Sequence, residues 1–509
     1  MSWIEGLDPR RAIANLVQEK TGDWYRDPWN WPEYPFLRSK QGGDLIRSRL
    51  ASNTLVGSPS EIDVPKENFG VRPAVILGVG DRIIYQTLVD ALSPALLGSL
   101  LADVYGWRLP PASKEKGRYA RQDFQWSRYR SKLSRMADLF EFGLKTDISA
   151  FFSSLDPELV ASRVLTCDVD PQTADRLSRM LLAWKVHNPR PGLPQRSTAS
   201  SVLANMMLAD VDVVLRETAR PVPKIFKNPG ERFSFGRWMD DMWIFGNDDS
   251  ALRSGQVDLQ QTLKPLGLVL NSAKTALLSG SELGEATKKI QGSAIDDALD
   301  EDPMNSVPLE ELVDQVFEEK EMVDRSTVRF ISSRMRDHDI SYRTGELLEL
   351  AVRLPHAADH LGRLFRAQVP SSTMQDWLAD YVKSSWSRFE WSTAQFAIAI
   401  TPRRVPRRAT RELFARFLSE EDLSVPLAAV AAQRLAVWDP DSALDLIGQR
   451  IGGEASPQIA RVLCLAALQA GASRKQVRRW LALHDENYLT LLTLEWRTFA
   501  PLRVTRDYR

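Results

Sequence analysis

Two kinds of hydrophobic periodicity divide the chain near residue 300. Before that point, helical stretches such as DPRRAIANLVQEK alternate with short apolar or alternating runs. FEFGLKTDI (140–148) and RFSFGRWM (232–239) followed by MWIF (242–245) predict strands. Beyond it, LGRLFRAQV, LAAVAAQRLAVW, ALDLIGQRI and IARVLCLAALQAG place apolar residues at i, i+3, i+4 and i+7, separated by Pro, Gly or Asp-Pro breaks. The first half therefore predicts an α+β domain and the second a nearly all-helical one. The Ala-rich helices around Ala431 and Ala466 recur after thirty-odd residues, as expected of helical pairs stacked into a solenoid, and a plain helical bundle fits the pattern almost as well.

Within this frame the sequence predicts four segments. Residues 1–60 form an aromatic-rich arm, 61–295 the α+β domain, 296–308 an acidic, Pro-containing junction and 309–509 the all-α domain. The arm opens on a short helix, with Asp8 as N-cap and Pro9 at the first helical position, and runs through WYRDPWNWPEYPF. Three prolines there forbid a continuing helix, so the five aromatics before Phe36 read as an arm packed on the core in preference to a base-stacking platform.

Charge sharpens the picture only when it is read locally. The 66 Lys and Arg balance 66 Asp and Glu, which excludes a protein that coats nucleic acid through uniform positive charge. Residues 101–145 nevertheless hold ten basic against five acidic residues, and 295–324 hold twelve acids against Lys320 alone. Two arginine-rich stretches, 401–416 and 473–479, are candidate phosphate contacts that compete with a solvated helix face. Cys167 and Cys464 cannot form a disulfide framework, and the five histidines include no metal-ligand spacing. Glu5, Asp8, Arg10 and Arg11 stand where a secretory leader needs an apolar core, and no apolar run reaches the ~20 residues of a membrane span, so the expectation is a cytoplasmic protein with no membrane partner.

The chemistry is carried by three ordered segments. In FGLKTDISAFF a strand delivers Asp147 at its end. In PGLPQRSTASSVLAN a Gly/Pro loop breaks into a helix whose first turn is rich in small hydroxyl residues, leaving room for a nucleotide beside the backbone. In RFSFGRWMDDMWIF apolar runs flank Asp240-Asp241, the pattern of a β-hairpin with both acids at its tip. An adjacent acid pair alone means little, since Asp248-Asp249 and Asp296-Asp297 also occur. Joined with Asp147 on a neighbouring strand, however, the pair suits two Mg²⁺ ions roughly 3.5–4 Å apart, the arrangement that steadies both oxygens in phosphoryl transfer. Downstream, LGLVLNSAKT predicts a strand ending at Asn271 with Lys274 just beyond.

The ordered set TDISAFF, GLPQxxxxSxxLAN, MDD and LGLVLNSAKT resembles motifs A, B, C and D of reverse transcriptases, over about residues 142–275. GVGDRIIYQTLVDALSPAL (78–96) and VYGWRLPP (104–111) resemble the fingers of the bacterial, group II intron-like branch. The resemblance implies a right-hand polymerase fold of fingers and palm, with Asp147, Asp240 and Asp241 as metal ligands, Asp147 and Asp240 bridging both Mg²⁺ ions. It further implies that Phe152 crowds a ribose 2′-OH and selects dNTPs, that Gln195 lies against the incoming nucleotide and that Lys274 is a general acid for pyrophosphate. Arg82 and Arg108 are weaker candidates for triphosphate or template contacts. RNA and single-stranded DNA are the implied partners.

Two positions depart from the pattern. Arg196 stands where templated reverse transcriptases usually carry Gly, so its guanidinium either occupies volume beside the template path or binds a phosphate, and Trp238 replaces the usual Tyr or Phe before x-Asp-Asp. A helical domain follows motif D, without a Cys/His-rich endonuclease. That arrangement is similar to the abortive-infection and related defence-associated reverse transcriptases, which oppose phage, often assemble as homo-oligomers and in some cases make DNA without a template, sometimes on a protein hydroxyl. Tyr488 and Tyr508 are candidate priming hydroxyls that nothing in their context marks. A retron- or intron-type templated enzyme and a non-catalytic nucleic-acid-binding scaffold are the competing readings.

Overall fold

The computed structural model describes residues 3–19, 22–52, 57–110, 115–187, 192–221, 233–288, 295–296, 298–299, 302, 305–318 and 323–496. They fall into two compact units that interleave along the chain. One comprises 1–23, 37–59 and 81–290, the other 24–36, 60–80 and 291–509. The sequence suggested continuous segments; instead the aromatic stretch and the antiparallel hairpin Ser60–Pro65/Val71–Ile76 belong with the helices of the second unit.

In the first unit helix α1 (Pro9–Glu19) starts as its sequence predicts, the Asp8 carboxylate accepting from the N–H groups of Arg10 and Arg11. Helix α2 (Val79–Leu96) leads to strand β1 (Val104–Tyr105), and helix α3 (Gln122–Leu139) precedes β2 (Phe142–Thr146). A single turn, α4 (Phe151–Ser154), follows. Helices α5 (Thr198–Met207) and α6 (Ala209–Thr218) come before the hairpin β3 (Phe235–Trp238) and β4 (Asp241–Gly246). Helix α7 (Asp249–Leu263), strand β5 (Ala276–Ser279) and helix α8 (Gly280–Lys288) complete the unit.

The five strands form one sheet in the order β1-β3-β4-β2-β5, antiparallel except for the β1–β3 pair. Side chains alternate across it. Trp243 and Phe245 of β4 pack with Tyr129, Leu133 and Met136 of α3 and with Leu283 of α8. On the opposite face Gly246 faces Leu252 of α7. The strand expected over 266–271 is a single bridge, Ile148 to Leu270; the regular strand begins later, at Ala276. Gly267, at φ +67°, turns the chain, and the Asn271 side chain accepts from Ala273 N–H, which holds a further turn before pairing resumes.

The second unit is helical after residue 307 and periodic. Helices α9 (Ala358–Gln368), α10 (Glu390–Ala397), α11 (Val425–Trp438) and α12 (Pro457–Gln469) pack in sequence and start 32, 35 and 32 residues apart, the spacing of stacked helical pairs. Bonds repeat with the same period. Arg434 donates to the carbonyls of Ile398 and Ile400, and Arg450 donates to that of Leu418. The aromatic stretch lies against this row, with Trp391 Nε1 donating to the Trp24 carbonyl and Gln433 Nε2 to that of Pro28. Trp24, Tyr25, Trp29, Trp31, Tyr34 and Phe36 are all buried, so the segment is packed core and offers no stacking platform.

One buried ion cluster fastens it there. Arg461 of α12 donates to Asp27 at 2.6 Å and to Glu33 at 2.7 and 2.8 Å, and Thr490 donates to Glu33 at 2.6 Å. The two acids have no side-chain exposure. Arg461→Met leaves both carboxylates buried without their cation and is expected to destabilise this unit by roughly 3–5 kcal/mol. An unchanged urea midpoint would refute that.

Candidate active site

The ladder between β2 and β4 pairs Thr146 with Met242 as its last rung. Continued by one residue, this antiparallel register places Asp147 opposite Asp241. Between β3 and β4 the pair Trp238–Asp241 closes a two-residue turn made of Met239 and Asp240, so the tip is Met239-Asp240 and Asp241 is the first strand residue. The sequence had suggested that both acids share the tip. Met239 sits at φ +56°, the left-handed value that tight hairpin turns require.

All three acids are half-buried. Asp147 accepts from Asn271 Nδ2 at 3.3 Å and pairs with Lys274 Nζ at 3.4 Å, while the Asn271 N–H bonds the Asp147 carbonyl at 2.7 Å. Lys274 is therefore brought to the site, on a side chain 62% exposed. Burial pushes the Asp240 carboxyl up to about 7, and the negative charge of Asp147 adds to the shift. Burial also raises Asp241, against the opposing pull of Lys145 and of Tyr129, whose hydroxyl donates to its Oδ2 at 3.1 Å.

These residues fit a divalent cation by chemistry. The donors are hard carboxylate oxygens, and the raised Asp240 shows a partly buried negative site that a cation would relieve. Among the described residues no group of three or more His, Cys, Asp or Glu side chains stands ready as a ligand cage. Asp147 is held by Asn271 and Lys274, while Asp241 accepts from Tyr129.

Behind the turn lies a residue that sequence reasoning passed over. Arg237 is fully buried, pairs with both oxygens of Asp212 at 2.5 and 2.8 Å, and uses Nη1 to reach Asn205 Oδ1 and the Met239 carbonyl, each at 3.0 Å. It ties the hairpin tip to helices α5 and α6. The available signal was an arginine inside an otherwise apolar strand; Tyr129 carried no comparable signal.

The motif B loop is laid on motif A. Leu193 N–H donates to the Phe152 carbonyl at 2.8 Å, and a Cβ on Gly192, which lies at φ +136°, would stand 2.6 Å from Ser153 Cα, so only glycine fits. Phe152 and Gln195 are both half-buried. Arg196 adopts φ +57°, the backbone region that favours Gly, and its guanidinium donates to the Gly22 carbonyl. The loop keeps a glycine-like backbone, and the side chain is directed to the arm. The Thr198 N–H at the start of α5 donates to Glu19, whose carboxyl burial pushes up to about 7 against the pull of Arg82. Arg82 is buried between Glu19, at 3.7 Å, and Asp23, at 2.5 Å. Arg108 spends Nη1 on the carbonyls of Leu101, Ala102 and Val104. Both arginines thus have protein partners. Tyr488 belongs to the helical unit and Tyr508 lies outside the described residues.

The family model described as reverse transcriptase (RNA-dependent DNA polymerase) matches residues 64–329, just over half of the chain. The chain belongs to the reverse transcriptase family. This reverse transcriptase is accordingly an RNA-directed DNA polymerase with a palm-and-fingers fold, and its partners are dNTPs and nucleic-acid template and primer. No match is found among the curated proteins compared with it. Among the described residues no single helix is long and apolar enough to cross a membrane.

The site has a thermodynamic signature. Asp240 holds its proton more tightly folded than unfolded, so the folded state binds more protons between about pH 4 and pH 7 and stability falls as pH rises through that window. Asp240→Asn should raise stability by on the order of 2 kcal/mol above pH 7 and by progressively less as pH falls toward 4. Thermal unfolding across this range checks it; a constant difference between variant and wild type would contradict the assignment.

Proposed function

We propose that the chain is a Mg²⁺-dependent DNA polymerase that adds dNTPs to a 3′ end, with Asp147, Asp240 and Asp241 as its metal-binding carboxylates. The observation that carries the reading is the register that sets Asp147 opposite Asp241, with Asp240 in the adjoining turn feeling the charge of Asp147. Two bound Mg²⁺ ions would supply activation of the attacking oxygen and neutralisation of the triphosphate. The chain's own residues do the rest. Phe152 limits the space beside C2′ of the sugar, Gln195 lines the nucleotide, and Lys274, beside Asp147, holds a proton for the departing pyrophosphate. Arg82 takes part in triphosphate binding only if its pairing with Glu19 and Asp23 opens.

The biological setting we propose is antiphage defence of the abortive-infection type. The support is the helical-repeat unit that follows the palm with neither a Cys/His-rich nuclease nor a ligand cluster among its described residues. The sequence departure at Arg196, where templated relatives carry Gly, is the ground for adding synthesis that need not follow a template, primed by a nucleic acid or by a protein hydroxyl; the guanidinium itself is held by the Gly22 carbonyl. Sequencing the DNA made from mixed dNTPs separates the cases, since random or homopolymeric product supports this reading and product complementary to a bound RNA overturns it.

Asp240→Ala and Asp241→Ala should each lower dNTP incorporation by roughly 1,000-fold with the fold retained, and each should abolish phage protection. Incorporation or protection at wild-type level would defeat the proposal. Phe152→Ala should raise rNTP use relative to dNTP by about tenfold or more, measured as a ratio of kcat/KM. An unchanged ratio would remove Phe152 from the sugar site.

A further inference from the structure

Three tryptophans meet beside the carboxylates. Trp238, two residues before Asp240, contacts Trp107 at 5.7 Å and Trp126 at 5.0 Å between ring centroids. Trp126 also contacts Tyr129 at 5.6 Å, and Tyr129 donates to Asp241. Trp126 is 40% exposed, the one of the three indoles that solvent reaches most.

The backbone is held out of its relaxed form to make this cluster. Gly106 and Trp107 lie at φ +78° and +42°, and the second value is unfavourable for a residue with a Cβ. Two side chains fasten the loop. Asn205 Nδ2 donates to the Gly106 carbonyl at 3.2 Å, and the Trp107 N–H donates to Gln122 Oε1 at 3.1 Å. A Cβ at Gly106 would stand 3.5 Å from the Trp238 ring, so the loop backbone passes directly over that indole. The Trp107 ring remains half-exposed in the cluster.

We propose that Trp126, backed by Trp238 and Trp107, is a stacking ledge for the base at the 3′ end of the DNA strand being extended. The inference rests on the polymerase reading above and names the part of that site which holds the primer base. A partly exposed indole one contact from the residue bonded to Asp241 lies close to the carboxylates that the 3′ oxygen has to reach, and an aromatic side chain there can stack a base of any identity. The ledge reads no base edge, so it accepts any base, as an enzyme extending an arbitrary end requires.

The test measures equilibrium binding of a short single-stranded oligodeoxynucleotide, with a fluorescent adenine analogue at its 3′ end, to the full chain without dNTPs. Wild type should quench the analogue. Trp126→Ala should bind about tenfold more weakly with the same salt slope, and Trp126→Phe should stay within about twofold of wild type. An abasic 3′ terminus should weaken wild-type binding as much as Trp126→Ala does, and an abasic 5′ terminus should not. Wild-type affinity in Trp126→Ala, equal losses at both abasic ends, or no binding by wild type overturns the ledge. Because no nucleotide is present, failure of the polymerase reading shows separately, as absence of incorporation by a wild-type protein whose binding contrasts are intact.

Discussion

The palm is organised around one buried cation. Arg237 has no side-chain exposure and spends its donors on Asp212, Asn205 and the Met239 carbonyl, so one guanidinium joins two helices to a strained two-residue turn. A buried arginine is tolerated only when its charge is paired and its N–H groups are satisfied. Meeting that demand fixes where α5 and α6 lie against the hairpin, and hence where Asp240 stands. Lys132, buried against Asp103, repeats the device at the neighbouring strand, where the Asp103 carbonyl also accepts from the Arg237 N–H. Both buried cations are committed to acids of their own, Arg237 to Asp212 and Lys132 to Asp103.

The left-handed backbone positions follow the same logic. Of the nine described non-glycine residues at positive φ, Trp107, Ala150, Arg196 and Met239 lie in the unit that carries the acids and the other five in the helical unit. Such conformations persist where the surroundings over-determine them and gather at functional sites. Arg196 shows how this bears on sequence reading. As a residue it departs from the glycine of its relatives, whereas its backbone does what that glycine would do.

How much was legible followed from range. The strand before Asp147, the hairpin around Asp240 and Asp241 and the glycine-bearing loop are local patterns, and their backbone was legible in local spacing. The thirty-odd-residue recurrence of the C-terminal helices was legible because each repeat meets only its neighbours. What was not legible depends on long-range partners. The burial of Trp24 to Phe36 among helices more than 350 residues away is written in no local window, and the pairing of Arg461 with Asp27 and Glu33 is of this kind. Tyr129 reaches Asp241 from a helix 112 positions earlier. The strand misplaced at 266–271 failed for a local reason, since an apolar run with one glycine reads as a strand until the turn around Asn271 is known.

The central claim is that Asp147, Asp240 and Asp241 act as one divalent-cation site for a nucleotide. Mn²⁺ binding followed by electron paramagnetic resonance tests it most directly, in wild type and in Asp147→Asn, with and without a dNTP. The account predicts two tightly bound ions for wild type with the dNTP and loss of both in the variant. Equal Mn²⁺ binding by the two proteins would contradict it.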